Sequence, residues 1–324
     1  MTASPLLRLG LPLVGGALPS SARKLGAPVL VSANALARYD GDRYFRSFRT
    51  ACPDLDGMDV AIDSAGFVAW AHYGDFPWTV EQYVALAASR PWAWWASMDA
   101  CCEPEVAGSR DVVRLRQSET IRLLAECRRV AARAGISAPM PVLQGWRASD
   151  YVWHAQQVDL QGATLVGVGS MCRRGVHGPD GLVAVVEALD AVLPRGVGLH
   201  LFGVKSDGLE ALARHPRVVS VDSMAWDVEA RRVGREGDGA TMAVRTRAMA
   251  RWYDSQVERM ERASGVPGVL DLFGDEDDGV SESGAIWAEL VAGGEIEAGS
   301  AGIYLAQEMG YEAKSGVAKD SGKH

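Results

Sequence analysis

The sequence contains no run of about 18 apolar residues, which removes a membrane-spanning helix from consideration. The apolar stretch Leu6 to Leu18 is interrupted by Arg8, glycines and Pro12 and has no basic lead, so it does not read as a signal peptide. Cysteine is scarce and irregularly spaced. The five residues Cys52, Cys101, Cys102, Cys127 and Cys172 are odd in number, which suits a reducing, cytoplasmic setting better than a disulfide framework. None forms a C-x-x-C pair, so a structural zinc cluster has little support. Histidine is also sparse. His200 is essentially the only one at a predicted strand end, and this ranks a barrel hydrolase with histidine metal ligands low. Positive charge is not in excess. A net charge of −8 argues against a generic basic coat for nucleic acid, although Arg173–Arg174 and a run that includes Arg231, Arg232, Arg235, Arg245, Arg247 and Arg251 make local basic faces. No G-x-G-x-x-G follows the first predicted strand, where the sequence reads Ser32-Ala33-Asn34-Ala35, and no internal repeat is present.

What is present is an alternation of short apolar runs with amphipathic stretches. Strands are predicted at 28–33, 59–63, 93–98, 140–143, 164–168, 199–202 and 218–221, rich in Val, Ile and Trp and running into polar loops. Helices are predicted between them, at about 110–133, from Pro179 to before Pro194, at 207–212 and at 241–264. This pattern predicts a parallel sheet covered by helices, an α/β protein. The missing glycine-rich loop favours a (β/α)8 TIM-like barrel over an open doubly wound sheet, with 268–272 as the eighth strand. The expected organisation is a barrel over 1–273 and a C-terminal helical, acidic extension over 274–324 that ends in a disordered tail from Lys314.

Three aspartates stand at predicted strand ends: Asp63, Asp99 and Asp222. Each alone could cap the helix that follows. Three together, each closing an apolar run, point to a shared pocket, because strand C-termini of a parallel barrel converge on one mouth. Two carboxylates in one pocket suit chemistry at an anomeric carbon, one as nucleophile and the other as acid and then base. Gln144-Gly145 follows another strand and combines a donor and acceptor with bare backbone, as does Gly167-Val168-Gly169-Ser170-Met171. Lone His200, on a strand with Phe202, reads as structural. Trp92, Trp94 and Trp95 read as core, and Trp153 and Trp226 are candidates for stacking on a base.

In order along the chain, Asp63-Ser64-Ala65-Gly66-Phe67, Met98-Asp99-Ala100-Cys101, Gln144-Gly145, Gly167–Ser170, Phe202-Gly203-Val204 and Asp222 resemble the motifs of the queuine and archaeosine tRNA-guanine transglycosylases. The variants Gly169-Ser170-Met171-Cys172-Arg173-Arg174, His200-Leu201-Phe202-Gly203 and Asp222-Ser223-Met224-Ala225-Trp226 resemble the deazapurine-in-DNA transglycosylases of bacteria and phages, a branch of that superfamily. Two departures stand out. The tRNA enzymes' zinc subdomain cannot be built, since no cysteine follows Cys172 and His324 is the only later histidine; Ala65 replaces a family glycine. The resemblance implies base exchange: guanine in DNA is replaced by a free 7-deazaguanine, preQ0 or a relative, with no cofactor and no metal. It makes Asp222 the nucleophile and Asp63 the proton-transfer group. Asp99, Gln144, Gly145, Gly169, Ser170, Phe202 and Gly203 would bind the base. Arg173 and Arg174 are candidates for holding phosphates, with Arg231 and Arg232 in the segment that replaces the zinc subdomain. The setting would be cytoplasmic, that of the host for a phage protein. A tRNA-directed transglycosylase and a non-catalytic base- or DNA-binding protein are the alternatives, and the oligomeric state stays open.

Overall fold

The computed structural model describes residues 4–40, 44–235 and 241–264, with backbone only at 232–235 and 264. Strands β1 (Leu6–Leu11) and β2 (Val29–Ser32) flank helix α1 (Ala17–Lys24). A hairpin, β3 (Ala37–Asp40) and β4 (Tyr44–Phe48), precedes β5 (Val60–Asp63). Then come the single turn α2 (Gly66–Val68), α3 (Val80–Ala87), the short α4 (Pro104–Ala107) and the long α5 (Arg110–Ala134). The remaining units are β6 (Val142–Leu143), α6 (Ala148–Gln157), β7 (Leu165–Val168), α7 (Leu182–Val192), β8 (Gly198–Leu201), α8 (Ser206–Leu212) and β9 (Val218–Ser223). Helices α9 (Ala225–Arg235) and α10 (Met242–Ser264) close the described part. No helix among the described residues is long and apolar enough to cross a membrane.

Seven strands form one parallel, curled, TIM-like sheet in the order β5-β2-β1-β9-β8-β7-β6. Its two edges are hydrogen-bonded to the same extended segment, 93–97. On one side Ile62 N donates to Trp94 O at 3.1 Å and Ala96 N to Ile62 O at 2.9 Å; on the other, Ser97 N donates to Met140 O at 2.9 Å. This segment lies where the sequence predicts a strand over 93–98.

Strand β1 is one of the elements that the sequence reading missed, as is the hairpin β3–β4. Arg8 and Gly10 break its apolar pattern, yet Leu7, Leu9 and Leu11 are buried. Period-two alternation sends Arg8 to the opposite face, where it is 4% exposed, ion-paired with Asp59 at 2.9 Å, and within 5.6 Å of the Trp94 ring. The paired charge makes the interior position tolerable. Both sides of β9 are taken, by β1 and β8, while the candidate strand 268–272 and the extension 274–324 lie outside the described residues.

The core has two layers. A large one fills the space between sheet and helices, and a small one, Ala96, Met140 and Val142 with Trp94, Leu165 and Phe202 against it, fills the sheet's concave side. The helices fall close to their predicted spans. Helix α5 begins behind an Ser109 cap, whose hydroxyl accepts from Val112 N, and ends at Gly135 with φ 68°. Parallel strands send all their C-termini to one rim, and the loops there carry the polar side chains.

Candidate active site

A cavity of about 300 Å³ opens at the C-terminal ends of the strands, the size of a small-molecule site. Asp63, Asp99, Gln144, Gly169, Ser170, Phe202, Gly203 and Asp222, all singled out by the sequence, line it. Each of the three aspartates is held differently.

Asp222 sits inside β9 and is 7% exposed. Its Oδ1 accepts from Gly203 N at 3.1 Å, and His200 Nε2 lies 3.3 Å from the same oxygen. His200 Nδ1 is in turn 2.8 Å from Ser220 Oγ. His200 is fully buried between Trp94 and Phe202, with ring centroids at 4.7 and 4.6 Å, and burial lowers its pKa, so the imidazole is neutral. Sequence reasoning took His200 as structural. The signal for more lay in its alternation with Phe202, which puts both side chains on the concave face.

Asp63 ends β5. Its Oδ1 accepts from Ala65 N at 2.6 Å. Burial pushes its pKa up to about 7, the Ala65 hydrogen bond lowers it, and the neighbouring Asp222 charge raises it further. Such a carboxyl is substantially protonated at neutral pH. The turn that follows is tight: Ala65 takes φ 62°, in the left-handed region that favours glycine. A side chain at Gly66 would meet Asp99 O at 2.5 Å, so only glycine lets the two loops touch.

Asp99 is fastened at both oxygens. Ser64 Oγ donates to Oδ1 at 2.8 Å and Gln144 Nε2 to Oδ2 at 2.5 Å. Burial raises its pKa to about 6 against the lowering effect of those two hydrogen bonds. Ser170 fixes the Gln144 amide from the other end by donating to Oε1 at 2.8 Å, while accepting from Cys102 N at 2.9 Å. A Cβ at Gly169 would come within 2.1 Å of Gln144 Nε2, which explains the glycine there. The result is a fixed row of acceptors and donors along one cavity wall, as the edge of a planar heterocycle needs.

Glu103, which the sequence reading did not single out, also lines the cavity. It is 5% exposed, burial pushes its pKa up to about 7 although Arg173 lowers it, and its Oε2 has no partner among the described residues.

Other expectations need correction. Gly145 does not line the cavity; its missing side chain admits helix α6, since a Cβ would stand 2.9 Å from that of Asp150. Arg174 is no phosphate clamp. It is 3% exposed, and its guanidinium donates to the carbonyls of Ser170, Gly145, Trp146 and Asp180 and to Tyr151 Oη, 4.4 Å above the Trp146 ring. It holds the Ser170 loop. Trp226 is fully buried and Trp153 is covered by Arg114 at 3.9 Å, so neither stacks on a ligand in the cavity. Arg231 lines the cavity but is buried and bound to Asp227 at 2.7 Å, as is Arg245 at 2.8 Å. Arg173 is at the rim, paired with Glu105 at 2.5 Å. The Arg232 side chain lies outside the described residues. Among those residues no three His, Cys, Asp or Glu side chains gather as a metal site.

The family model described as DpdA, DeoxyPurine in DNA protein A, matches residues 12–266. No curated protein matches the chain.

Proposed function

Because this chain belongs to the DpdA family, we propose that it exchanges guanine in DNA for a free 7-deazaguanine, preQ0 or a relative. The observation that carries the proposal is one small cavity in which the strand-end carboxyls of Asp63, Asp99 and Asp222 are held in three different states of restraint. Asp222 is held by a backbone amide with a buried imidazole nitrogen 3.3 Å away, Asp63 is poised near neutrality, and Asp99 is locked as part of a reading edge.

In this scheme a guanine nucleotide flips out of the duplex into the cavity, and Asp99 accepts from its N1–H and exocyclic amine. The Asp222 carboxylate attacks C1′, and the bond from C1′ to N9 breaks. The electron pair of that bond leaves with guanine, which takes the proton of Asp63. A deoxyribosyl ester of Asp222 remains. The free base enters, Asp63 now removes its N9 proton, and N9 attacks C1′ and releases Asp222. Two inversions give retention, and Asp63 ends protonated, as it began. A carboxyl raised to about 7 can give a proton and take one back within a single turnover.

The test is to incubate the protein with labelled preQ0 and either duplex DNA or bulk tRNA, with Asp222→Ala as control. Label entering DNA, and lost in the control, is the expected result. Label entering tRNA would overturn the substrate, and label in neither polymer, with labelled guanine also failing, would overturn the chemistry in favour of a binding protein.

A further inference from the structure

A second feature stands beside the mouth. The hairpin β3–β4 leaves the cavity rim directly: Ser32 and Ala35 line the cavity, and the hairpin begins at Ala37. Arg38 is three residues from Ala35, so their Cα atoms are at most about 11 Å apart.

The inner face of the hairpin is anchored by aromatic contacts. Tyr39 stacks on Tyr73 with centroids 5.8 Å apart and donates to Asn34 Oδ1 at 2.9 Å. Phe45 and Phe48 pack edge-on against Trp78 at 5.6 and 5.1 Å. Arg49 N donates to Leu36 O at 2.7 Å. The hairpin is thereby fixed to the chain leaving both Ser32 and Asp63.

Its outer face is basic and carries an aromatic ring. Arg38 pairs with Ser47 and Tyr39 with Phe45, so Arg46 is the extra residue of a β-bulge, and Arg38, Arg46 and Ser47 are all exposed together. Arg49 follows, also exposed. Among the described residues none of these arginines has a carboxylate partner, and Asp40 is the one acid on the two strands. Tyr44 is 80% exposed, the most exposed large hydrophobic side chain described. Cations without a carboxylate partner among the described residues and a bare aromatic ring thus share one element, which starts two residues after a residue that lines the cavity.

We propose that this hairpin is the DNA-docking element, with Arg38, Arg46 and Arg49 gripping phosphates that flank the flipped nucleotide and Tyr44 stacking on an exposed base. The inference rests on the DNA base-exchange reading and assigns its nucleic-acid surface.

The experiment measures the affinity of the full chain for a guanine-containing duplex between 50 and 200 mM salt. The proteins compared are wild type, Arg38→Ala/Arg46→Ala/Arg49→Ala, Tyr44→Ala, and a control, Arg195→Ala/Arg214→Ala. The control residues are exposed arginines in loops leading into β8 and β9, at the opposite end of the sheet. Each lost phosphate contact lowers the slope of log K against log salt by about 0.9, so the triple variant should lose about 2.7. Its deficit is then about 40-fold larger at 50 than at 200 mM. Tyr44→Ala should weaken binding by about tenfold with the slope unchanged, and the control should match wild type. Thermal melts confirm folding of each variant. A wild type that binds DNA while the triple variant keeps its slope, or while the control loses as much, overturns the hairpin and leaves the function standing. A wild type that neither binds nor modifies DNA overturns the function itself. Tighter binding of tRNA through the same arginines overturns the commitment to DNA.

Discussion

Replacing Asp63 by asparagine should make the protein more stable and nearly inactive. The carboxyl is raised from 3.8 to about 7, largely by burial. Three units correspond to about 4 kcal/mol of preference for the protonated form. That is a ceiling, because the side chain keeps some exposure to the cavity; about 2 kcal/mol is the working figure. The sign follows from proton linkage. Below about pH 4 the carboxyl is protonated in both folded and unfolded chains and costs nothing. As pH rises from 4 to 7 the unfolded chain ionises first, so the native state loses stability, and above 7 the full penalty remains. Asparagine keeps an oxygen for the Ala65 amide and never ionises. The variant's advantage should therefore be absent near pH 4, grow to about 2 kcal/mol by pH 7.5 and then stay level, a rise in Tm of about 4–8 °C. Urea melts at several pH values read this directly. Activity should fall by about 10²–10⁴, the usual worth of a positioned acid. Equal stability at pH 8, or a difference independent of pH, would refute the assignment of a strained, protonated Asp63.

Activity should be bell-shaped in pH. Asp99 must be ionised to accept two donors and Asp63 protonated to give one, so kcat/KM should rise through about pH 6 and fall through about pH 7; a flat profile between pH 5 and 8 would contradict both roles. Asp99→Asn leaves one acceptor where the base offers two donors and should reduce base exchange by about 100-fold or more while DNA affinity holds, as measured by incorporation and binding on the same samples. His200→Gln should lower kcat about 10- to 100-fold with KM little changed, because His200 positions Asp222 rather than touching the base; a change in KM alone would argue otherwise. Arg174→Ala leaves four carbonyls without their donor and should cost about 3 kcal/mol by denaturant melts, with the salt slope of DNA binding unaltered.

The strand-end motifs were legible in the sequence because period-two alternation and parallel topology together decide where a carboxylate at a strand's end must point. Asp63, Asp99 and Asp222 stood out because each closes an apolar run, and Gln144 because it follows one; Ser170 as a base-binding residue came from the family resemblance, and the helices near 110–133 and 241–264 from their apolar spacing. Strand β1 was hidden for the converse reason: its pattern is broken by Arg8, and only the tertiary structure supplies the Asp59 and Trp94 that make a charge acceptable inside. The hairpin was missed because its arginines are spread between aromatics, and its basic face exists only once the bulge turns Arg38 and Arg46 to one side. Arginine pairs mislead for a related reason. Sequence shows that Arg173 and Arg174 are adjacent, whereas the fold puts one at the rim and the other under the loop, bound to carbonyls from three segments. Residue type and local period are properties of the chain and can be read from it. Which groups face one another, and so which charges are spent and which remain for a ligand, depends on contacts between residues far apart in sequence, such as His200 with Asp222 or Gln144 with Asp99, and only the folded chain decides that.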